Sequence, residues 1–246
     1  MKRRNVLAGL AALVTAGCTR IGESETFAGL VDGAEKLHRN AQRLIGGRKP
    51  MAREFTVADI SPVFRGNGST DVGTQEYYAG VANGFADWRL EVRGLVDKPL
   101  SLTMEQIRGL PQRTQITRHD CVEGWSAIGQ WTGPQLSALL KLAGLKDEAK
   151  FIVFRCADDF SGHPYYESCD LDDAFHPQTI VAHQLNGEPL PVKNGAPLRL
   201  RIERQLGYKH AKFVTRIEAV ASLAQVHGGK GGYWEDSNDY AWYAGI

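Results

Sequence analysis

The stretch RHDCVEGWSAIGQW, Arg118 to Trp131, sets one cysteine among a histidine, an aspartate, a glutamate and two tryptophans, with no second cysteine close enough for a CxxC pair. A thiolate is a soft metal ligand and a nucleophile, whereas a protonated thiol is neither. Arg118 and His119 are placed to favour the thiolate and Asp120 and Glu123 to oppose it by like charge, while a bound metal would hold the sulfur deprotonated regardless. A lone cysteine also serves as a small buried apolar side chain, and residue types alone leave that reading open. Farther along, NGAPLR ends at Arg199 and GYKHAK ends at Lys212. Their glycines let backbone amides approach a ligand, and Arg199, Lys209 and Lys212 are cationic donors suited to a phosphate. Ordinary turns and solvated basic residues have the same composition. Phe64-Arg65-Gly66-Asn67-Gly68 is a third polar loop of the same kind.

These segments need elements to hold them. Trp88 to Arg93 alternates apolar and polar side chains, the period of a half-buried strand, and Val96-Asp97-Lys98-Pro99 supplies a turn. Thr103 with Gln106 three residues on predicts a capping box opening a short helix that Gly109 and Pro111 close. Thr114 to Thr117 reads as a strand, so Cys121 falls where an element ends, ahead of a loop holding Gly124 and Gly129. Trp131-Thr132-Gly133-Pro134 predicts the start of a helix with Leu136, Leu139, Leu140 and Ala143 on one face and Gly144 at its end. Phe151 to Phe154 has a buried-strand pattern, in a strand that Cys156 ends, Asn186-Gly187 marks a hairpin turn, Leu198 to Ile202 alternates apolar and polar side chains, and Phe213 to Ile217 reads as a strand. Mixed strands with short helices predict an α+β domain.

The N-terminus bears on the compartment. Lys2-Arg3-Arg4, an apolar run from Val6 to Val14 and then Thr15-Ala16-Gly17-Cys18 read as an export signal over residues 1–18, too short to span a membrane. Arg3-Arg4 followed by Asn5 and Val6-Leu7 resembles the bacterial twin-arginine signal, which exports folded proteins. Small residues before Cys18 resemble a lipoprotein box, in which the cysteine is lipidated and anchors the chain, although Thr15 stands where leucine is usual; ordinary cleavage and an uncleaved anchor are the alternatives. Residues 19–53 are polar with scattered apolar positions and read as a tether or arm, leaving 54–246 as the compact domain. A periplasmic or extracytoplasmic location follows as an expectation. The net charge of +1 removes any bulk electrostatic case for nucleic acid. Beyond Cys18 only Cys121, Cys156 and Cys169 remain, an odd number, so at least one thiol is free within the chain or metal-bound.

Taken together, RLEVRGLVDKPLSLTMEQI, RHDCVEGWSAIGQWTG, the run from HPQTIVAHQLNGEPL through NGAPLRLRIERQLGYKHAKFVTRIE, and the tail GGYWEDSNDYAWYAGI resemble, in order, the sulfite oxidase family, in particular its short bacterial periplasmic branch. The resemblance implies a mixed-sheet α+β fold around molybdopterin and molybdenum, with Cys121 as the catalytic sulfur ligand to the metal. It implies that Asn194, Arg199, His210, Ala211 and Lys212 hold the pterin and its phosphate, and that Phe64, Arg65 and Asn67 cover another edge. Cys156 falls where the branch has a threonine contacting the cofactor, which leaves a side-chain role open. The C-terminal dimerisation domain of the animal and plant enzymes is not expected, and a monomer is. The arginine that follows the ligand cysteine in the animal enzymes has no counterpart here; Glu123 stands close to its place. A neutral S-oxide or N-oxide undergoing reduction is therefore the expected small-molecule substrate, with sulfite-type oxidation, or a non-catalytic cofactor-binding or extracytoplasmic binding protein, as alternatives. Without a haem motif, electrons require a separate partner, for which a membrane haem or quinone-linked protein is expected. For Tyr233, Trp234, Trp242 and Tyr243 in the tail, core packing is favoured over a roof on the site.

Overall fold

The computed structural model describes residues 24–46, 50–160 and 162–246; the export-signal reading and Cys18 lie outside the described residues. Within the expected tether, Glu25–Gly46 forms a 22-residue helix, α1. Phe27, Leu30, Ala34, Leu37, Ala41 and Leu44 recur at spacings of three and four, a helical period that polar composition masks. This helix belongs to a unit separate from the one that starts at Arg48.

The second unit carries three sheets. The largest has the order β2 (Leu100–Thr103), β1 (Arg89–Gly94), β11 (Val214–Val220), β5 (Phe151–Phe160) and β6 (His163–Asp170). Only β1 and β11 run parallel, so the sheet is mixed. In β1, Leu90 and Val92 point into the core while Glu91 faces out, beside Arg216 of β11, whose Nε donates to it at 2.8 Å. A four-stranded sheet holds β3 (Gln112–Asp120), β4 (Ser126–Pro134), β8 (Gln184–Leu185) and β9 (Glu188–Pro189). The third pairs β10 (Arg199–Arg201) with β7 (Ile180–Ala182). The α+β expectation holds.

Local signals meet their elements where they are short-range. The Thr103–Gln106 capping box forms, with the Gln106 N–H donating to Thr103 Oγ1 at 3.1 Å and the Thr103 N–H to Gln106 Oε1 at 2.9 Å. The helix Leu136–Ala143 buries Leu136, Leu139, Leu140 and Ala143 completely, and Gly144 ends it at φ 70°. Asn186 and Gly187 both take positive φ, at 55° and 83°, and turn β8 into β9.

Three expectations need correction. Trp131 to Pro134 finishes β4 rather than opening a helix, and Gly129 lies within that strand rather than in a loop. Gly133 is there because β7 passes so close that a Cβ would stand 2.1 Å from the Val181 carbonyl oxygen. The Leu198 to Ile202 segment is not half-buried: Arg199, Leu200 and Arg201 are all enclosed, so the outward-facing positions of the alternation carry buried guanidinium groups. Cys156 does not end its strand; β5 continues to Phe160, through an irregularity in its pairing with β6 between Arg155 and Asp159. A bulge of this kind redirects side chains, here at the edge of a cavity. Gly133→Ala should therefore destabilise the fold by about 3 kcal/mol, the upper part of the overpacking range, because the colliding atom is backbone; urea unfolding measures it.

Candidate active site

The ends of β3, β5 and β6 and the loop from β10 into β11 surround a cavity of about 130 Å³. Cys121 lies in its wall, just past β3, in a tight turn where the Cys121 N–H donates to the Trp125 carbonyl and the Gly124 N–H to the Cys121 carbonyl, with Gly124 at φ 85°. The polar wall adds Asn67, Glu123, Asp158, His210 and Lys212; Phe160, Tyr165, Tyr208, Trp234 and Tyr240 form an aromatic wall. All three cysteines in the described residues are free, and only Cys121 reaches this cavity.

The charges around Cys121 are not those its neighbours in sequence suggest. Arg118 is exposed and spends its Nε on Asp120 at 2.9 Å. His119 is fully enclosed; burial first, then Arg199 and Arg201, hold its ring well below the usual histidine range, so it is neutral. Burial raises the Cys121 thiol and the Glu123 charge adds to this, while a hydrogen bond from the Glu123 backbone, then Arg199 and Lys212, oppose it. The cations that favour a thiolate thus come from some 80 residues downstream.

Those cations are held unequally. Arg201 is enclosed and paired with Glu203, its Nη2 at 2.6 Å from Glu203 Oε2. Arg199, equally enclosed, makes no ion pair among the described residues: Nη1 donates to the Asn194 carbonyl at 3.1 Å, Nη2 reaches Asn67 Oδ1 at 3.4 Å, and Nε has no partner. Burial and Arg201 push its guanidinium down to about 9, which leaves it cationic at neutral pH. A buried cation without a counter-charge calls for an anion. Lys212 gives its ammonium to the carbonyls of Asn67 and Ser69, and burial, then Arg199, bring it down to about 7. Lys209 is not the free phosphate donor its motif suggests: it is enclosed between Glu167 and Glu235.

Two histidines supply oriented ring nitrogens. The Arg201 guanidinium donates to His119 Nδ1 at 3.0 Å, which puts the His119 proton on Nε2, where it has no partner. Gly207 admits this ring, since a Cβ there would stand 2.4 Å from His119 Nε2. His210 contacts the Ile202 carbonyl through Nε2 at 2.8 Å, leaving Nδ1 as an unpartnered acceptor. Asp158, nearly enclosed, likewise has no partner for Oδ1; burial lifts its carboxyl to about 6 against the pull of Lys212.

The other expected site residues support rather than line the cavity. Asn194 is buried and its Nδ2 donates to the Arg65 carbonyl at 3.1 Å; Arg65's own side chain is exposed. Phe64 packs edge-on to Trp131 with ring centroids 5.1 Å apart. The Ala211 carbonyl accepts from the Leu200 N–H at 2.8 Å. From β5 it is Asp158, not Cys156, that enters the wall. Asp158, Tyr165, Tyr208 and Tyr240 escape the sequence reading; two of these aromatics could have been found in the alternating HPYYESCD and the GYKHAK motif.

The histidines generate a prediction. Because the folded chain keeps His119 and His210 neutral while the unfolded chain protonates near pH 6.5, stability falls as pH drops below that value, the unfolded state taking up the extra protons. In nitrogen-15 spectra of the cofactor-free chain both rings should remain neutral at about pH 6; a protonated ring at that pH would contradict the assignment.

Comparison with known proteins identifies the family. Residues 78–227 match the model of the oxidoreductase molybdopterin binding domain. A putative protein-methionine-sulfoxide reductase subunit YedZ1 of Azospira oryzae is 42% identical over 160 residues, 65% of this chain and 56% of that protein. The protein-methionine-sulfoxide reductase catalytic subunit MsrP of Campylobacter jejuni is 32% identical over 174 residues, covering 65% and 57%. The chain thus spans little more than half the length of these relatives. The sulfane dehydrogenase SoxCD of Paracoccus pantotrophus shares 27% identity at a TM-score of 0.51, over 56% of this chain and 39% of that one. The residues present fit the cofactor this family binds: the unpaired Arg199 suits a phosphate, and the His119 N–H and the free oxygen of Asp158 offer a donor and an acceptor to a pterin. The chain therefore belongs to the molybdopterin-binding oxidoreductases of the sulfite oxidase family, whose cofactor is molybdopterin carrying molybdenum.

Proposed function

We propose that the chain reduces a small S-oxide or N-oxide, with Cys121 as the protein's sulfur ligand to molybdenum. The observation that carries the reading is Cys121 itself, a free thiol in the wall of a cavity that Glu123 also lines, within the field of the enclosed, uncompensated Arg199. Among the described residues no group of three histidine, cysteine or carboxylate side chains is arranged to hold a metal, so a metal at Cys121 takes most of its ligands from a bound group. When bound, the molybdenum cofactor supplies the two-electron redox change and the oxygen-atom transfer.

The protein's own residues would hold and shape. Arg199 is assigned the phosphate, with Asn194 bracing its guanidinium and the Phe64–Asn67 loop. His210, Ala211 and Lys212 are assigned the adjoining edge; Lys212 does so by fastening the Asn67 to Ser69 backbone. Asp158 Oδ1 can carry a proton into the cavity, its carboxyl being lifted to about 6 chiefly by burial. Glu123, lining the cavity where the loop Val122 to Ser126 provides no cation, disfavours an anionic substrate. The names of the methionine-sulfoxide reductase relatives support the reductive direction. Electrons would come from a separate partner, a membrane haem or quinone-linked protein, with the chain acting as a monomer outside the cytoplasm and Cys18 as the candidate lipid anchor.

Cys121→Ser replaces a soft thiolate with a hard, poorly ionised hydroxyl and should lower turnover by about 100-fold; full activity would sink the ligand assignment. Arg199→Ala should lower pterin content about tenfold, as expected for a lost charge-assisted contact, and unchanged pterin would remove Arg199 from the cofactor site. Direction is tested by assaying a panel of oxides with reduced viologen beside sulfite with an electron acceptor. Oxide turnover should exceed sulfite turnover; the reverse would favour oxidation, the chemistry named for the sulfane dehydrogenase.

A further inference from the structure

The wall of the cavity includes Tyr165, Tyr208 and Trp234, which come from three separate segments. Tyr165 is on β6, Tyr208 follows β10, and Trp234 is in α6, the helix Tyr233–Asn238 near the C-terminus. Each has a buried charged residue beside it in sequence: Glu167 two residues after Tyr165, Lys209 next to Tyr208, and Glu235 next to Trp234. These three charges meet. Lys209 Nζ lies 2.6 Å from Glu167 Oε2 and also pairs with Glu235 Oε1, with all three side chains enclosed. The two carboxylates hold the ammonium protonated against burial, and burial with Glu235 raises Glu167 well above the usual carboxylate range.

We propose that the Lys209–Glu167–Glu235 cluster positions the aromatic wall of the cavity, and through it the fit of the substrate; this rests on reading the cavity as the substrate site. One ammonium contacting two carboxylates fixes the three segments against one another, because shifting any of them leaves a buried charge without its partner. Neighbouring contacts reinforce the geometry. The Tyr165 hydroxyl donates to the Tyr208 carbonyl at 2.8 Å, and the Tyr208 hydroxyl donates to the Ala241 carbonyl at 2.6 Å. Trp234 stacks on Tyr240 at 5.9 Å and 27°. Gly232, just before α6, admits the cluster: a Cβ there would stand 2.1 Å from Glu235 Oε2 and 2.7 Å from Glu167 Oε2. None of the three charged residues lines the cavity, so they act as positioning residues through the aromatics beside them.

The test compares Glu235→Gln with the wild-type chain, both loaded and free of cofactor. Acrylamide quenching of Trp234, isolated by subtracting the spectrum of a Trp234→Phe chain, should rise in Glu235→Gln even without cofactor. In loaded enzyme, KM for the oxide should rise about tenfold while kcat and molybdenum per chain stay near wild type, the pattern of lost substrate positioning. A lower melting temperature with quenching and KM unchanged would show a purely structural cluster and overturn the proposal. If Glu235→Gln does not fold, the triple variant Glu167→Leu, Lys209→Met, Glu235→Leu removes the charges together and leaves none unpaired. It should fold and show the same rise in quenching and KM, and wild-type values of both would overturn the proposal. A wild-type chain without molybdenum would defeat the proposed function, while quenching in the cofactor-free chain would still decide the role of the cluster.

Discussion

The Arg199 guanidinium, enclosed and without an anion, is the constraint around which the site is organised. An uncompensated buried charge costs several kcal/mol, and its surroundings show the strain of accommodating it. Burial first, and then the charges of Arg199 and Arg201, keep His119 and His210 neutral; burial, then Arg199, bring Lys212 to about 7; and Arg201 is enclosed with Glu203 as its own counter-ion. Trp131 offers its ring face to both guanidiniums, at 5.4 Å and 4.4 Å, which softens the charge without cancelling it. A phosphate beside Arg199 would offset its share of these shifts. On the proposed assignment of Arg199 to the phosphate, cofactor binding and folding stability meet in the same buried charge.

The cavity then divides by the way its charge is handled. Lys212 lines it beside Cys121, and the enclosed Arg199 acts with Lys212 on the cysteine sulfur. The charges of Lys209, Glu167 and Glu235 are instead consumed among themselves, and their sequence neighbours that line the cavity, Tyr165, Tyr208 and Trp234, are aromatic. Two buried cations are therefore held in opposite ways: Arg199 has no carboxylate partner among the described residues, and Lys209 has two. On the proposed function, the first arrangement suits an anionic cofactor and the aromatic residues a small neutral substrate.

Legibility in the sequence tracked the distance between interacting groups. The Thr103–Gln106 box, the Leu136–Ala143 helix with its Gly144 end and the Asn186-Gly187 turn are decided within a few residues, and local rules describe them. The Trp131 to Pro134 segment misleads because its proline and glycine suit a helix start, while its strand state is imposed by pairing with Gln112 to Gln115 and by the passage of β7 against Gly133. Arg201 and Arg199 read as the polar positions of an alternating strand until burial shows otherwise. Glu235 lies 26 residues from Lys209, and no local pattern joins them.

The motifs that resemble the sulfite oxidase family carry this lesson inside them. GYKHAK contributes two lysines of similar propensity and like charge, yet one is spent on carboxylates beneath the aromatic wall and the other on the backbone of the Asn67 to Ser69 loop. A family motif thus identifies the neighbourhood of the cofactor, whereas the role of each charge in it is set by the partner that the rest of the chain brings. Asp158 makes the same point from the other side: no motif marks it, and it becomes a wall residue because the irregular β5 turns it toward Lys212 and leaves one carboxylate oxygen with nothing else to bind.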